Sequence, residues 1–447
     1  MSSTSVSTVM NEAINSILAS AHTTATEFNI SITLTSADNP KFIVVPLFIE
    51  EMTITEDYSN AYAEVVTVKF TVSPLEYELI FKNMKDLLAA VTIVYIDAQH
   101  SKLVFDPPPI NRKYKAILKN PQNLSTKFTT GSLRPTIDQP KTEQHVSARI
   151  PVELQMIEYE AYVIRQQQFH AMFSNTNVQA LINHIAKVYN IPRLYLVKPD
   201  NTHTWSNIVI PPGKSISDIF DFIQVTYGVY MKGIEFFYTD KTLYVYPPYE
   251  MRPVIPYTAN IFNAPEGAYS GSRAYHATDS KNISIVSTTS VDTKDLAVSS
   301  AENTGSSKSF IRASQLIDNF SGLTQAGVRV SHNNSLTVSG RNSRTMTRNA
   351  NNDRYGKTTD NIFHEASELA KWNATLVKLG WLQAVPYVLR PGHAVKYAYD
   401  DNGIFVSKSG ILEVVVYKIA HQRRLDVGNT YSCRADMRLR VESDLGK

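Results

Sequence analysis

Residues 178–191 read VQALINHIAKVYNI, and residues 211–248 read PPGKSISDIFDFIQVTYGVYMKGIEFFYTDKTLYVYPP. Val178, Leu181, Ile182, Ile185 and Tyr189 recur at helical spacing and predict one apolar helix face, begun at Asn175 or Asn177. A loop around Pro192 and the WSNIVIPP stretch follows. Ser215 with Asp218 three residues on is a capping-box pattern, and Ile219, Phe220, Ile223 and Tyr227 form the apolar face of the helix it starts. Gly228 stands where a residue of positive φ is wanted after a helix. IEFFYTDKTLYVYPP then predicts a hairpin that turns at Thr239-Asp240-Lys241 and ends at Pro247-Pro248. No charged or nucleophilic residue in this helix–loop–helix–hairpin unit is arranged for chemistry. It is a scaffold.

Working outward, the 447-residue chain is long enough for two to four domains, and a 43% hydrophobic content suits a well-packed core. Its 44 basic and 41 acidic residues nearly cancel, which removes any global reason to expect nucleic-acid or anionic-membrane binding. The 24 Tyr and 18 Phe fit pleated surfaces and tilt the balance toward sheet. Cys433 is the one cysteine, so neither an internal disulfide nor a CxxC zinc or redox pair can form, and cytoplasmic synthesis is expected. The first residues lack the basic and apolar regions of a secretory signal, and no apolar run approaches the roughly 20 residues of a membrane helix. Val9, Met10, Ala13, Ile14, Ile17 and Leu18 instead predict a helix with Ser7 as N-cap, either docked on its own chain or serving as a partner-binding arm.

From residue 27 the period becomes two. FNISITLT alternates Phe28, Ile30, Ile32 and Leu34 against polar neighbours; KFIVVPLFIEEMTI follows, with Pro46 predicting an edge or bend; AYAEVVTVKFTVS is a third strand. SPLEYELIFKNMKDLLAAV predicts a helix with Ser73 as N-cap, Pro74 at the first position and Glu76 completing a capping box, after which AVTIVYI resumes strand. Residues 106–145, rich in Pro and Thr, predict a long excursion, and SARIPVELQMIEYEAYVI two further strand-like runs. The grammar is that of a small β-barrel or sandwich. Beyond the central unit, residues 280–309 are Ser- and Thr-rich and predict a linker or surface elaboration, and residues 340–357 are polar. NIFHEASELAKWNATLVKLGW predicts a helix, followed by strands through PYVLRPGHAVKYAY, GIFVSKSGILEVVVYKIAHQRR and YSCRADMRLRVES. The resulting division is 1–25, an N-terminal helix or arm; 26–170, a first β-barrel domain; 171–255, a small α/β module; 256–357, the linker or elaboration; and 358–447, a helix plus second β-rich domain, its start at 358 or near 312. The fold class is α+β, mainly β.

Catalytic and metal-binding patterns occur only as fragments. His364-Glu365 begins like a zincin helix, but the second histidine is Glu368, so two imidazoles do not share a helix face. There is no GxSxG elbow and no GxxxxGK[ST] loop. His421, Asp426 and Ser432 supply the residue types of a triad without a reason to converge, and Glu50-Glu51 are neighbours that a strand would point to opposite faces. No catalytic residue, metal site or cofactor is expected. Arg341, Arg344 and Arg348, and the alternating Arg434, Arg438 and Arg440, read either as a phosphate stripe or as ion-pairing and interface residues, the latter preferred because no aromatic platform accompanies them.

Three stretches carry a resemblance. IPRLYLVKPDN…IVIPPGKSISDIFDFIQVTYGVYMKGIEFFYTDKTLYVYP resembles the middle domain of baseplate hub proteins of contractile, myovirus-type bacteriophage tails, a family related to the hub portion of type VI secretion spike proteins. VPLFIEEMTITEDYSNAYAEVVTVKFTVSPLEYELIFKNMKDLLAAVTI is similar to the first tube-like barrel of those hubs. LRPGHAVKY…SGILEVVVYKIAHQRRLDVGNTYSCRADMRLR is similar to their second, with Pro391-Gly392 at a tight turn. The stretches cover about two thirds of the chain; no single motif is diagnostic, and their order carries the likeness. Residues 256–357 fit it less well.

The resemblance implies two tail-tube-like β-barrel domains separated by the α/β module and a polar linker. It implies a homotrimeric ring in the virion that acts as a symmetry adaptor between a hexameric tail tube and a trimeric central spike. Interfaces of about 2,000 Å² or more would hold such a ring. The implied partners are the tail tube, central spike, baseplate wedge and tape-measure proteins, with DNA only a transient passenger of the lumen and no membrane. Phe236, Phe237, Tyr244, Tyr246, Arg434, Arg438 and Arg440 are the interface candidates, the aromatic ones being equally readable as core. The alternatives are a tail-tube initiator or terminator, and a hub-associated cell-wall hydrolase.

Overall fold

The computed structural model describes residues 8, 10–12, 14–15, 26–46, 48–58, 61–97, 102–104, 109–119, 149–250, 258–263, 276–278, 282–287, 289–293, 361–363, 366–367, 375–401, 404–423 and 429–441. In chain order the elements are β1 (Thr26–Ser36), β2 (Ile43–Val44), β3 (Phe48–Asp57), β4 (Val65–Val72), α1 (Pro74–Lys82), β5 (Leu87–Asp97), β6 (Lys102–Val104), β7 (Ile110–Leu118), β8 (Ile150–Glu158) and α2 (Tyr159–Gln166). The central module adds β9 (Phe169–Asn177), α3 (Val178–Val188), β10 (Arg193–Leu196), β11 (Thr204–Lys214), α4 (Ile216–Thr226), β12 (Glu235–Thr239) and β13 (Thr242–Tyr246). After it come β14 (Thr258–Asn263), β15 (His276–Thr278), β16 (Asn282–Ser287), β17 (Thr289–Thr293), β18 (Thr375–Trp381), β19 (Ala394–Asp401), β20 (Ile404–Arg423) and β21 (Asn429–Val441).

Alternation builds the principal sheet. Phe28, Ile30, Ile32 and Leu34 of β1, Val66, Val68, Phe70 and Val72 of β4, and Val152, Leu154 and Met156 of β8 all turn into one core. Each such side chain contributes about 1.5–3 kcal/mol by leaving water. Strands from both ends of the chain join this single 16-stranded mixed sheet. The ladder runs β20–β3–β4–β8–β7–β5–β1–β21 and β21 pairs again with β20, but β1 meets β21 at one register pair, Phe28↔Tyr431. The sheet therefore wraps without forming a closed barrel.

The expectation of two separate barrels is corrected here. β20 belongs to both β regions at once: Ile404–Ile411 pairs with β19, and Val414–Ala420 pairs with β3, while β21 pairs with β20 from Gly410 to Arg423. A register shift between Leu412 and Val414 changes the partner at Glu413, as a bulge redirects a strand. At the crossing, a Cβ on Gly410 would collide with the Arg440 carbonyl oxygen, so the strands approach this closely only because residue 410 has no side chain.

Other expectations shift with tertiary pairing. The Ser73–Glu76 capping box forms, Glu76 accepting the Ser73 N–H at 2.8 Å, but α1 stops at Lys82 and LLAAV is already strand. Its apolar side chains continue an eleven-position ladder with β1, which outweighs their helix propensity. EAYVI, expected as strand, lies in α2. TLVKLGW, expected as the end of a helix, is β18, held between β17 and β21. Strand β7 lies within the supposed 106–145 excursion, and β16 and β17 within the supposed linker. Met10 and Ile14 are fully buried, favouring a terminal helix docked on its own chain; Ser7, Val9, Ala13, Ile17 and Leu18 lie outside the described residues.

The central module forms as its punctuation predicts. Asn177 caps α3 by accepting the Ala180 N–H at 2.8 Å, and Gly228 follows α4 with φ +76°. Val178, Leu181, Ile182, Ile185, Ile219, Phe220 and Ile223 enclose its own core. The β12–β13 hairpin turns at Asp240 (φ +50°) and Lys241 (φ +61°), the paired left-handed conformations of a type I′ turn.

Candidate functional site

The hairpin delivers two sets of side chains to the main sheet. Along its length Phe237 stacks on Tyr58, just past β3, with ring centroids 4.1 Å apart and planes 5° from parallel, and on Tyr244 at 4.6 Å. Tyr246 meets the Phe237 edge at 6.0 Å, and Ile411 of β20 completes the cluster. Phe236 faces the other way, 4.5 Å from Phe220 in the module core. Of the four aromatic interface candidates, Phe236, Phe237 and Tyr246 are thus buried inside the chain, and Tyr244 is partly exposed. Their packing joins module to sheet.

At its tip the hairpin places Thr239 and Asp240 among charged groups from two other regions. Arg112 of β7 donates to Glu64 at 3.2 Å and to Asp240 at 2.9 Å, and Arg390, from the segment between β18 and β19, donates to the other Asp240 oxygen at 2.8 Å. Arg193 of β10 donates to the Asp240 backbone carbonyl at 2.7 Å. The Tyr387 ring lies beneath both guanidinium groups, 4.2 Å from Arg112 and 5.5 Å from Arg390, at a backbone φ of +64° that a tyrosine rarely adopts. Its hydroxyl is 3.2 Å from that of Tyr114, which donates to Glu64 at 2.6 Å. Tyr417 of β20 clamps the same segment, accepting the Leu389 N–H at 3.0 Å and donating to the Leu389 carbonyl at 2.6 Å. His393 accepts the Arg390 N–H on Nδ1 at 2.9 Å.

Electrostatics follow from this packing. Burial opposes the charge on Arg112, yet Glu64 and the surrounding groups outweigh it and hold the guanidinium pKa above its ordinary value; for Arg390, Glu56 and Asp240 do the same. Burial also disfavours charge on Asp240, but Arg390 and Arg112 reverse this and lower its pKa. Glu56 is pushed up to about 7 chiefly by burial, and Glu158, beside Tyr114 on β8, to about 7 by burial and then by Glu64. Burial drives His393 down to about 4, leaving it neutral. One oxygen of each of Glu56, Glu64 and Glu158 has no hydrogen-bond partner among the described residues. The arrangement ties three regions into one body; no nucleophile and base stand together in it.

The arginines of β21 divide. Arg438 donates to Glu413 at 2.7 Å and lies 3.8 Å from Asp57, while Arg440 pairs with the other Glu413 oxygen and stacks on Tyr249 at 4.1 Å. Both hold the β20 bulge. Arg434 is exposed and alone of the three faces solvent, beside the 2.6 Å Lys418–Asp436 pair.

His421 and Ser432 sit on paired strands, His421 between Phe48 and Tyr431, and Asp426 lies outside the described residues. Glu51 pairs with Lys69 at 3.1 Å. His364, Glu365, Glu368, Arg341, Arg344, Arg348 and Arg354 are also outside the described residues. Among the described residues no group of three or more His, Cys, Asp or Glu could hold a metal ion, and no helix is long and apolar enough to cross a membrane. Cys433 is buried, which pushes its thiol pKa up. Sequence reasoning missed the junction: Glu64, Arg112 and the Tyr387–Arg390 segment are far apart in the chain, and only Glu64 and Arg390 carry a local signal, a charge within an apolar run.

No curated protein matches the chain. Among solved structures, a tail protein from Neisseria meningitidis MC58 aligns over 93% of this chain and 97% of its own at 12% identity, with a TM-score of 0.45. The 43 kDa tail protein of prophage MuSo2 from Shewanella oneidensis aligns over 94% and 99% at 8% identity, with a TM-score of 0.44. The prophage tail protein gp18 from Listeria monocytogenes EGD-e aligns over 92% and 94% at 9% identity, with a TM-score of 0.35. These likenesses are remote. A family model described as bacteriophage PBS1 gene 109 protein matches residues 13–373, most of the chain up to the start of β18.

Proposed function

The chain belongs to the bacteriophage PBS1 gene 109 protein family, and from that premise we propose that it is a structural component of a phage tail, the hub at the centre of the baseplate. In this role three copies form a ring in the virion that matches a hexameric tail tube to a trimeric spike. Its neighbours are the tail tube, spike, wedge and tape-measure proteins, and DNA only passes through.

The observation that carries the reading is the shared strand β20. Two β regions, one from each end of the chain, are joined by continuous backbone at Gly410–Val414 and pinned by the Glu413–Arg438–Arg440 pairs. A chain that supplies two laterally fixed β units gives six such units in a trimer, which is how threefold and sixfold neighbours can be matched. A tail-tube subunit would need only one. The buried junction supports the same role, because it ties the module to the main sheet. We read the protein as non-enzymatic.

Mass measurement of the assembled ring tests the oligomer. A trimer is expected; a hexamer would favour a tube protein instead. A zymogram on peptidoglycan tests the absence of activity, and clearing by the purified chain would end the purely structural reading.

A further inference from the structure

The junction holds more carboxyl groups than its cations can neutralise. Glu56, Glu64, Glu158 and Asp240 converge on Arg112 and Arg390, while Arg193 is engaged with a backbone carbonyl. The nearby Glu160 is taken up by Lys241 at 3.5 Å and by the Tyr238 hydroxyl at 2.9 Å. Asp240 is half exposed and bonded to both arginines, so its charge is met. Glu64 accepts from Arg112 and Tyr114. Glu56 is completely buried and accepts only the Tyr58 hydroxyl, at 3.3 Å, with its second oxygen unpartnered among the described residues. A buried carboxylate so poorly served is costly, and protonation is the cheapest remedy.

We propose that the junction is a proton-operated latch: Glu56 is carried protonated in the folded chain, and loss of that proton loosens the hairpin tip and the Tyr387–His393 segment from a main sheet that stays intact. Facing Glu56 are Tyr58 on its own side, Glu64 before β4, Arg112 on β7, Arg390 and Tyr387 on the segment after β18, and Tyr417 on β20. Ionisation adds a negative charge beside the Glu64 carboxyl at a fully buried position, and it draws Arg390 away from Asp240. Arg390 holds the hairpin tip to the C-terminal segment through Asp240 at 2.8 Å and the Thr239 hydroxyl at 3.3 Å.

The sign is fixed by the shift. Glu56 rises from 4.5 to about 7 on folding, so the stability it contributes is complete below 4.5 and is lost as pH climbs through about 7.

Hydrogen exchange of the full-length chain at pH about 6 and about 9, corrected for intrinsic rates, tests the latch. Residues 235–246 and 387–393 are expected to lose protection by roughly tenfold or more, the factor that one pKa unit represents, while β1 and β5 keep theirs. Glu56→Gln, which mimics the neutral acid, is expected to remove that pH dependence. Wild-type protection that does not change with pH overturns the proposal, as does an unchanged dependence in the variant or loss of β1 and β5 in step with the hairpin. Should Glu56→Gln fail to fold, infrared difference spectroscopy of the wild type follows the protonated carboxyl band directly, with Glu158→Gln and Glu235→Gln identifying the parts due to those two carboxyls, of which Glu235 is pushed up to about 8 by burial. A remaining band that persists to pH about 7 supports the latch, and its absence there sinks it.

Discussion

Two sets of ion pairs stand on opposite sides of the same sheet, and they differ in what surrounds them. Across β3, β4 and β8 the outer face carries a row of alternating sign, Glu51, Lys69, Glu153 and Lys119, paired at 3.1 and 3.0 Å with every member at least a third exposed. The junction pairs Arg112 with Glu64 at a similar 3.2 Å, but their side chains are 9% and 0% exposed. Distance does not separate the two; water does. An exposed pair exchanges one set of hydrated ions for another and is worth about 0–1 kcal/mol. A buried pair is a poor source of net stability yet severe to break, because the survivor is left charged without solvent.

Arg112→Met sharpens that contrast most. It leaves Glu64 buried without its guanidinium and is expected to cost about 3–5 kcal/mol in chemical denaturation. Adding Glu64→Gln should recover much of the loss. A double variant as unstable as the single one would mean that Arg112 acts through the Tyr387 stack and not through charge.

Phe237→Ala removes the apolar half of the same junction and should cost about 3–5 kcal/mol by opening a cavity between Tyr58 and Tyr244. Hydrogen exchange should then show the module released before the sheet. Uniform loss across both would place the aromatic stack in a single cooperative core with the sheet.

His393 contributes from the acid side. Its pKa falls from 6.5 to about 4 on burial, so its stabilisation is present above 6.5 and is lost as pH falls toward 4. The 2.5-unit shift sets a ceiling of about 3 kcal/mol. Replacing it with Asn, which can still accept the Arg390 N–H, should flatten denaturation midpoints between pH about 6.5 and about 4; an unchanged slope would assign the acid response elsewhere.

Gly410→Ala probes the seam away from both ion sets. The added methyl meets the Arg440 carbonyl, and separating β20 from β21 there should cost about 1–3 kcal/mol. A neutral outcome would show that the bulge at Glu413 can absorb the shift.

The contrast also explains what the sequence could and could not reveal. Features written within a few residues were legible: the Ser73–Glu76 and Ser215–Asp218 caps, the α3 stripe, Gly228 and the Asp240–Lys241 turn all involve neighbours on one element. LLAAV and TLVKLGW were misread because each is apolar enough for either period, and the partner strand that decides lies far along the chain. The two-barrel expectation failed for the same reason: nothing local to residues 404–423 says that half the strand pairs with residue 394 onward and half with residue 57 backward. The junction is the extreme case. Its members are separated by up to hundreds of positions, and even the Glu413 that pairs with Arg438 and Arg440 lies 25 and 27 positions from them on another strand.

The smallest effect completes the comparison from its exposed end. Lys69 donates to Glu51 at 3.1 Å, and that contact raises its pKa, but both side chains stand in water. Lys69→Ala should therefore change stability by less than about 1 kcal/mol, and added salt should erase even that difference. Its cross-strand neighbours Glu51 and Glu153 then flank β4 with no lysine between them. If the loss instead approached that of Arg112→Met, the outer row would be acting as a coupled network, and burial would no longer be what distinguishes the two faces.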